Sequence, residues 1–141
     1  MTDASTLGRL GEDTAARYLE SLGFRITARN LHIGHAEIDL LAENEFWLLF
    51  VEVKTRRQIP GHAGVYGTPA EAVNAKKQSL LLAAAETYLA GHECTKSPRI
   101  DVIEVYADPD STAYRVLDLR HYENAVRKTG KFSRKYSKYN P

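Results

Sequence analysis

Apolar and polar positions change period several times along the chain, and each change marks an element. From Leu7 to Leu22 the apolar residues recur at helical spacing: Leu7, Ala15, Tyr18, Leu19 and Leu22 fall on one side of a helical wheel, Arg9, Asp13, Arg17 and Glu20 on the other. Gly23 follows as a left-handed C-terminal cap. Glu12 lies on the rim of the apolar side, between Ala16 and Leu19, an awkward place for a carboxylate. Residues Phe24 to Leu31 then alternate, Phe24/Ile26/Ala28 against Arg25/Thr27/Arg29, as in a half-covered strand. A turn at Gly34 introduces a second strand, Ala36 to Ala42, and the short polar link Glu43-Asn44-Glu45 leads to a third, Phe46 to Thr55, which predicts an antiparallel hairpin. The unbroken run Trp47-Leu48-Leu49-Phe50-Val51 predicts that this third strand is covered on both faces and central in its sheet.

A loop with Gly61, Gly64 and Gly67 precedes a second helical region. Thr68-Pro69-Ala70-Glu71 has the form of a capping box, and Asn74 offers a second N-cap for a helix from Ala75 to Leu89 stopped by Gly91. One kinked helix or a short turn followed by a helix both fit. A strand at Arg99 to Tyr106, a turn at Asp108-Pro109-Asp110, a strand at Ala113 to Leu119 and a last short helix from Tyr122 complete the expectation. The order is α-β-β-β-α-β-β plus a tail: an α/β domain with a mixed central sheet flanked by helices.

Composition adds bounds. The chain has 141 residues, 43% of them hydrophobic, enough for one buried core. A formal net charge of +1 argues against a strongly polyanionic partner, but the average hides a split. Thirteen cations and all 18 acids give residues 1–123 a charge of −5, while six cations without an acid give residues 124–141 a charge of +6. The expected organisation is a domain over 1–123 and a basic, aromatic-containing, flexible tail over 124–141. Cys94 is the single cysteine, which excludes an internal disulfide and a Cys-based zinc site within one chain. The longest apolar runs are six residues, and the N-terminus carries Asp3, Glu12 and Asp13 without an apolar stretch, so a cytoplasmic protein with no membrane partner is expected.

The informative charges are those the apolar pattern does not explain. Leu48, Phe50, Glu52 and Lys54 share one face of the third strand, so a central strand ends by pointing a carboxylate and an ammonium the same way. Desolvating either alone costs several kcal/mol, which calls for a partner, a metal or a cleft. In the preceding strand Glu37, Asp39 and Leu41 share a face, and with the turn centred near Glu45, Asp39 falls opposite Glu52, about 5 Å away. Mg²⁺ or Mn²⁺, hard ions that take carboxylate, water and phosphate oxygens, would relieve that repulsion. Lys54 beside such an ion would hold an attacking water in its deprotonated form and neutralise charge at phosphorus. The alternative is ordinary: Asp39 capping a backbone group at a strand end, and Glu52 with Lys54 forming a weak exposed ion pair.

Gly8-Arg9-Leu10-Gly11-Glu12, Ala15-Ala16-Arg17-Tyr18-Leu19, Gly23-Phe24, Arg29-Asn30, Glu37-Ile38-Asp39-Leu40, Phe50-Val51-Glu52-Val53-Lys54-Thr55-Arg56, Tyr66-Gly67 and Lys77-Gln78 stand in the order and spacing of a known group. Over about residues 8 to 122 the sequence resembles the YraN-like family of predicted bacterial endonucleases, a branch of the PD-(D/E)XK nuclease superfamily related to archaeal Holliday-junction resolvases. The resemblance implies a restriction-endonuclease-like core and a metal-dependent endonuclease that hydrolyses DNA phosphodiester bonds, at branches or flaps, in repair or recombination. It implies that Asp39, Glu52 and Lys54 are catalytic, and that Glu12 joins Asp39 and Glu52 in binding the metal, directly or through water. Gln78 resembles an auxiliary polar residue of related nucleases and equally a helix N-terminal residue. The family usually has Gly where this chain has Ala36.

For nucleic acid, Arg56, Arg57, Lys76 and Lys77 would line one edge of the site, and Arg134 and Lys135 belong to the tail, where Tyr122, Phe132, Tyr136 and Tyr139 offer stacking. The alternatives are solvated loop charges and a solubilising end. Five histidines, His32 and His35 among them, lack the spacing of a metal site, and the Gly61–Gly67 loop lacks the ending of a phosphate-binding P-loop. Two rival functions stand beside the nuclease: a nuclease-fold module that binds nucleic acid or a repair partner without cutting, and an RNA-directed enzyme. Analogy with junction resolvases implies a homodimer, with Trp47 and Val65 as candidate interface residues.

Overall fold

The covered third strand is the centre of the architecture. The computed structural model describes residues 4–57, 73–109, 115–128 and 137–139. Its elements are α1 (Ala4–Ser21), β1 (Arg25–Ile33), β2 (Ala36–Glu43), β3 (Trp47–Arg57), α2 (Ala75–Gly91), β4 (Ser97–Ala107), β5 (Val116–Tyr122) and a short β6 (Ser137–Tyr139). Among the described residues the strands form one sheet in the order β1-β2-β3-β4-β5-β6. All neighbours are antiparallel except β3 and β4, which run parallel because the connection between them passes through α2.

The helices cover opposite faces. Ala15, Ala16, Tyr18 and Leu19 of α1 pack with Leu40, Leu49, Val51, Ile103 and Val105. Leu81, Ala84 and Ala85 of α2 pack with Ile38, Phe50, Ile100 and Val102 on the other side. Burial on both faces is what the unbroken apolar run of β3 requires. Asn74 caps α2 as expected, its Oδ1 accepting the Lys77 N–H at 2.9 Å. The Thr68–Glu71 capping box and the Gly61–Gly67 loop lie outside the described residues.

Four expectations differ. Residues 123–128 form turns, not a helix, and β5 begins and ends three residues later than expected. Past Glu123 the chain does not leave the domain at once: Ala125 and Val126 are buried in the core on the α2 side, and β6 pairs with β5. Phase changes within β2 as well. Ile38 and Leu41 face the α2 layer while Leu40 and Ala42 face α1, so alternation slips at Asp39. Opposite this point in β1, Asn30 has a left-handed backbone, φ 51°. Glu37, Asp39 and Leu41 therefore do not share one face.

Gly11 sets the closeness of α1 to the sheet. A Cβ there would lie 1.7 Å from Thr55 Oγ1 and 2.9 Å from Thr55 Cβ. Rotating the threonine does not relieve the second contact, so Gly11→Ala is expected to cost about 1–3 kcal/mol in urea unfolding. Gly8→Ala, with nothing within 4 Å, is the neutral control.

Candidate active site

The ladder between β2 and β3 supplies the site by ending. It pairs Glu43 with Leu48, Ala42 with Leu49, Leu41 with Phe50 and Leu40 with Val51. Asp39 and Glu52, the next two residues in that register, are not joined by it. The Val53 N–H is instead accepted by Asp39 Oδ2, at 2.8 Å. The strands part here, and a carboxylate fills the gap.

Glu52 is 4% exposed. Its Oε1 lies 3.9 Å from Lys54 Nζ and its Oε2 lies 3.2 Å from Lys77 Nζ. The Lys77 contact lacks hydrogen-bond geometry, and Oε2 is buried with no hydrogen-bond partner among the described residues. Asp39 is pushed up to about 8, first by burial and then by the charge of Glu52, against which the Val53 N–H works in the other direction. A carboxyl raised by burial, sharing a hydrogen bond with a second buried carboxylate, is a donor set in which a hard divalent cation fits in place of the proton. Among the described residues no three His, Cys, Asp or Glu side chains converge closely enough to hold a metal, so two carboxylates would share it with water or phosphate oxygens.

Glu12 stands next to this pair on the α1 side. It contributes to raising Asp39, and its own carboxyl is raised chiefly by desolvation. With its amide turned to donate, Asn30 reaches Glu37 Oε1 at 3.0 Å and Glu12 Oε1 at 3.2 Å. These residues, with Gly8, Arg9, Asp13 and Arg29, line a cavity of about 630 Å³.

The other sequence candidates divide. Lys77 is drawn into the site by Glu52, whereas Lys76 stays exposed. Gln78 donates from Nε2 to the Val73 carbonyl at 2.7 Å, tying the first turn of α2 to the chain entering it. Arg56, expected at phosphate, is instead buried and donates from Nε to Glu104 Oε2 at 2.9 Å, because the inward face of β3 leaves its guanidinium no route to solvent. Arg57 donates to the Pro109 carbonyl. Arg134, Lys135 and Val65 lie outside the described residues. Trp47 is 37% exposed, with the Arg99 guanidinium 5.0 Å from its ring centroid.

Sequence reasoning missed two buried networks. Glu104 accepts from Arg56, from the Tyr106 hydroxyl at 2.9 Å and from the Tyr122 hydroxyl at 3.0 Å, and it is the register partner of Lys54. On the α1 side Asp101 is bonded to His121 Nε2 at 2.7 Å, and His121 Nδ1 to the Tyr18 hydroxyl at 2.8 Å. Asp101 and Glu104 interrupt an apolar strand, the same signal that singled out Glu52.

Comparison with known proteins covers the elements that build this site. The model of the Uncharacterised protein family UPF0102 matches residues 11–105. A UPF0102 protein of Symbiobacterium thermophilum is 47% identical over 105 residues, 74% of this chain and 85% of that protein. One from Caldanaerobacter subterraneus is 39% identical over 106 residues, 74% of this chain and 83% of that protein. One from Porphyromonas gingivalis is 35% identical over 125 residues, 89% and 87% of the two chains. No helix among the described residues is long and apolar enough to cross a membrane.

Proposed function

The chain belongs to the UPF0102 (YraN-like) family, and from that premise we propose that it is a Mg²⁺- or Mn²⁺-dependent endonuclease of the PD-(D/E)XK type acting on DNA. One observation carries the reading: Asp39 and Glu52 face each other where the β2–β3 ladder ends, with Lys54 one side-chain repeat beyond. In this reading Asp39 and Glu52 hold the cation and Glu12 supports it through water. When bound, the ion polarises the scissile phosphate and offsets the charge that builds there. Lys54, its side chain a third exposed at the edge of the site, would face the phosphoryl oxygens and favour loss of a proton by the attacking water. The Val53 N–H orients Asp39, and the α2 layer excludes solvent from Glu52.

The test is cleavage of four-way junction, flap and linear DNA, with matched RNA beside them, in Mg²⁺, in Mn²⁺ and in chelator. Cation-dependent cutting that survives both Asp39→Ala and Lys54→Ala removes these residues from the reaction. Salt-sensitive binding that ignores Lys54, without cutting and without heat from added cation, establishes the non-catalytic module instead. Sedimentation of the junction complex tests the homodimer.

Asp39 also gives a pH prediction. Its folded pKa lies above the free value of 3.8, so the native chain binds more protons than the unfolded one between that value and about 8. Cation-free stability is therefore expected to fall as pH rises through this window. Cation binding expels the proton, so the gain in melting temperature from Mg²⁺ is expected to grow from pH 6 to 8.5. A gain that is flat with pH, followed by thermal denaturation, contradicts Asp39 as a ligand.

A further inference from the structure

Lys77 has no task in the reading above, yet its placement is fixed at both ends. Its backbone N–H is the one held by the N-cap Asn74, and its side chain crosses from the α2 layer to β3, where Nζ meets Glu52 Oε2 at 3.2 Å. Each oxygen of the buried Glu52 carboxylate thus faces one ammonium. The two ammoniums differ. Lys54 rises from the same strand and face as Glu52, so the backbone keeps it near. Lys77 comes from another element; the two side chains are about equally exposed, 32% and 34%, and Lys77 makes its ion contact with Oε2 without a hydrogen bond.

A buried carboxylate needs a positive partner to stay charged, and in the cation-free protein Lys77 is the nearer of the two. A divalent cation brings two charges to the same oxygen, and an ammonium already there repels it. Both cannot keep the contact. The flexible four-carbon stem of Lys77, rooted on the helix, gives it somewhere to go, whereas the Asp39 and Glu52 carboxylates are fixed on the sheet.

We infer that Lys77 is a displaceable counter-ion. It neutralises Glu52 while the site holds no cation, and it is released by the incoming cation to hold a phosphate of the nucleic acid. Cation loading then adds one phosphate contact at the site, so substrate grip and metal occupancy rise together. The inference rests on the nuclease reading, because it needs a cation at Asp39 and Glu52.

Mn²⁺ titration followed by electron paramagnetic resonance, without nucleic acid, tests the exchange. Lys77→Met is expected to bind Mn²⁺ about tenfold more tightly than the parent, the effect of removing one charge at this distance even with the screening of water. Lys77→Arg, which keeps the charge, should show no such gain. A residue needed only for structure predicts equal or weaker binding in the Met variant, and that result overturns the inference. The second readout is the salt dependence of DNA binding in Ca²⁺ against chelator. Relative to Lys77→Met, the parent should gain about 0.9 in the slope of log affinity against log salt when Ca²⁺ is added. An equal change in both proteins overturns the release step. A parent that binds no Mn²⁺ overturns this inference together with the nuclease reading. Binding that Asp39→Asn abolishes and Lys77→Met leaves unchanged overturns the counter-ion role alone.

Discussion

Asp39→Asn is expected to reduce cation-dependent DNA cleavage by on the order of 10³-fold while leaving the protein as stable as the parent or more so. The two effects have one cause. In the cation-free protein the Asp39 carboxyl is raised by burial and by Glu52, so its charge is a burden on the fold. An amide of the same shape still accepts from the Val53 N–H at the point where the β2–β3 ladder ends, and it carries no charge to repel Glu52. What it cannot do is share a divalent ion as a carboxylate does. Loss of cleavage with a gain in urea midpoint is the signature of a group kept for chemistry at the expense of stability. A variant that loses both would make Asp39 a structural residue. Lys54→Ala is expected to match the loss of cleavage with little change in folding, since Glu52 keeps Lys77 at 3.2 Å.

Asp101→Ala is expected to have the largest effect on stability, about 3–5 kcal/mol by urea denaturation. Asp101 and His121 are both 0% exposed. The carboxylate accepts from Arg99 Nε and Nη2, each at 2.9 Å, from the Asn124 N–H at 2.9 Å, and bonds to His121. Burial alone would raise Asp101, but the bonds from His121 and Arg99 hold it below the usual carboxylate range. Its contribution is therefore present above the unfolded pKa and is lost as pH falls through the folded one. Removing the side chain strands an arginine, a histidine and a backbone N–H together. A cost under 1 kcal/mol would mean that water replaces all four bonds.

The hairpin register was legible because its turn is short and its apolar pattern strong: Leu40 pairs with Val51, and Asp39 and Glu52 come next in that register, just past the end of the ladder. The slip of phase at Asp39 was not, since strict alternation does not foresee a left-handed residue such as Asn30 in the neighbouring strand. Arg56 and Lys77 show the limit for single charges. Both read as cations for phosphate, and the spacing did not foresee that Arg56 meets Glu104 of a neighbouring strand or that Lys77 also meets Glu52 from across a layer. Long-range pairing of this kind leaves no periodic trace. Asp101 and Glu104 were visible as charges within an apolar run, but His121 and Arg56, their partners across the sheet, come from β5 and β3, positions that spacing alone does not bring together.

The bond between Tyr18 and His121 spans 103 positions, which gives it a meaning during synthesis. α1 and the β1–β3 hairpin emerge first and can form local contacts early. The His121 ring that meets the Tyr18 hydroxyl is made only after β4, late in the chain. Until then the inner face of α1 lacks one of its anchors, and closure of the α1 layer waits for β5 to leave the ribosome. A chain cut before β5 is therefore expected to lack this anchor of the α1 layer.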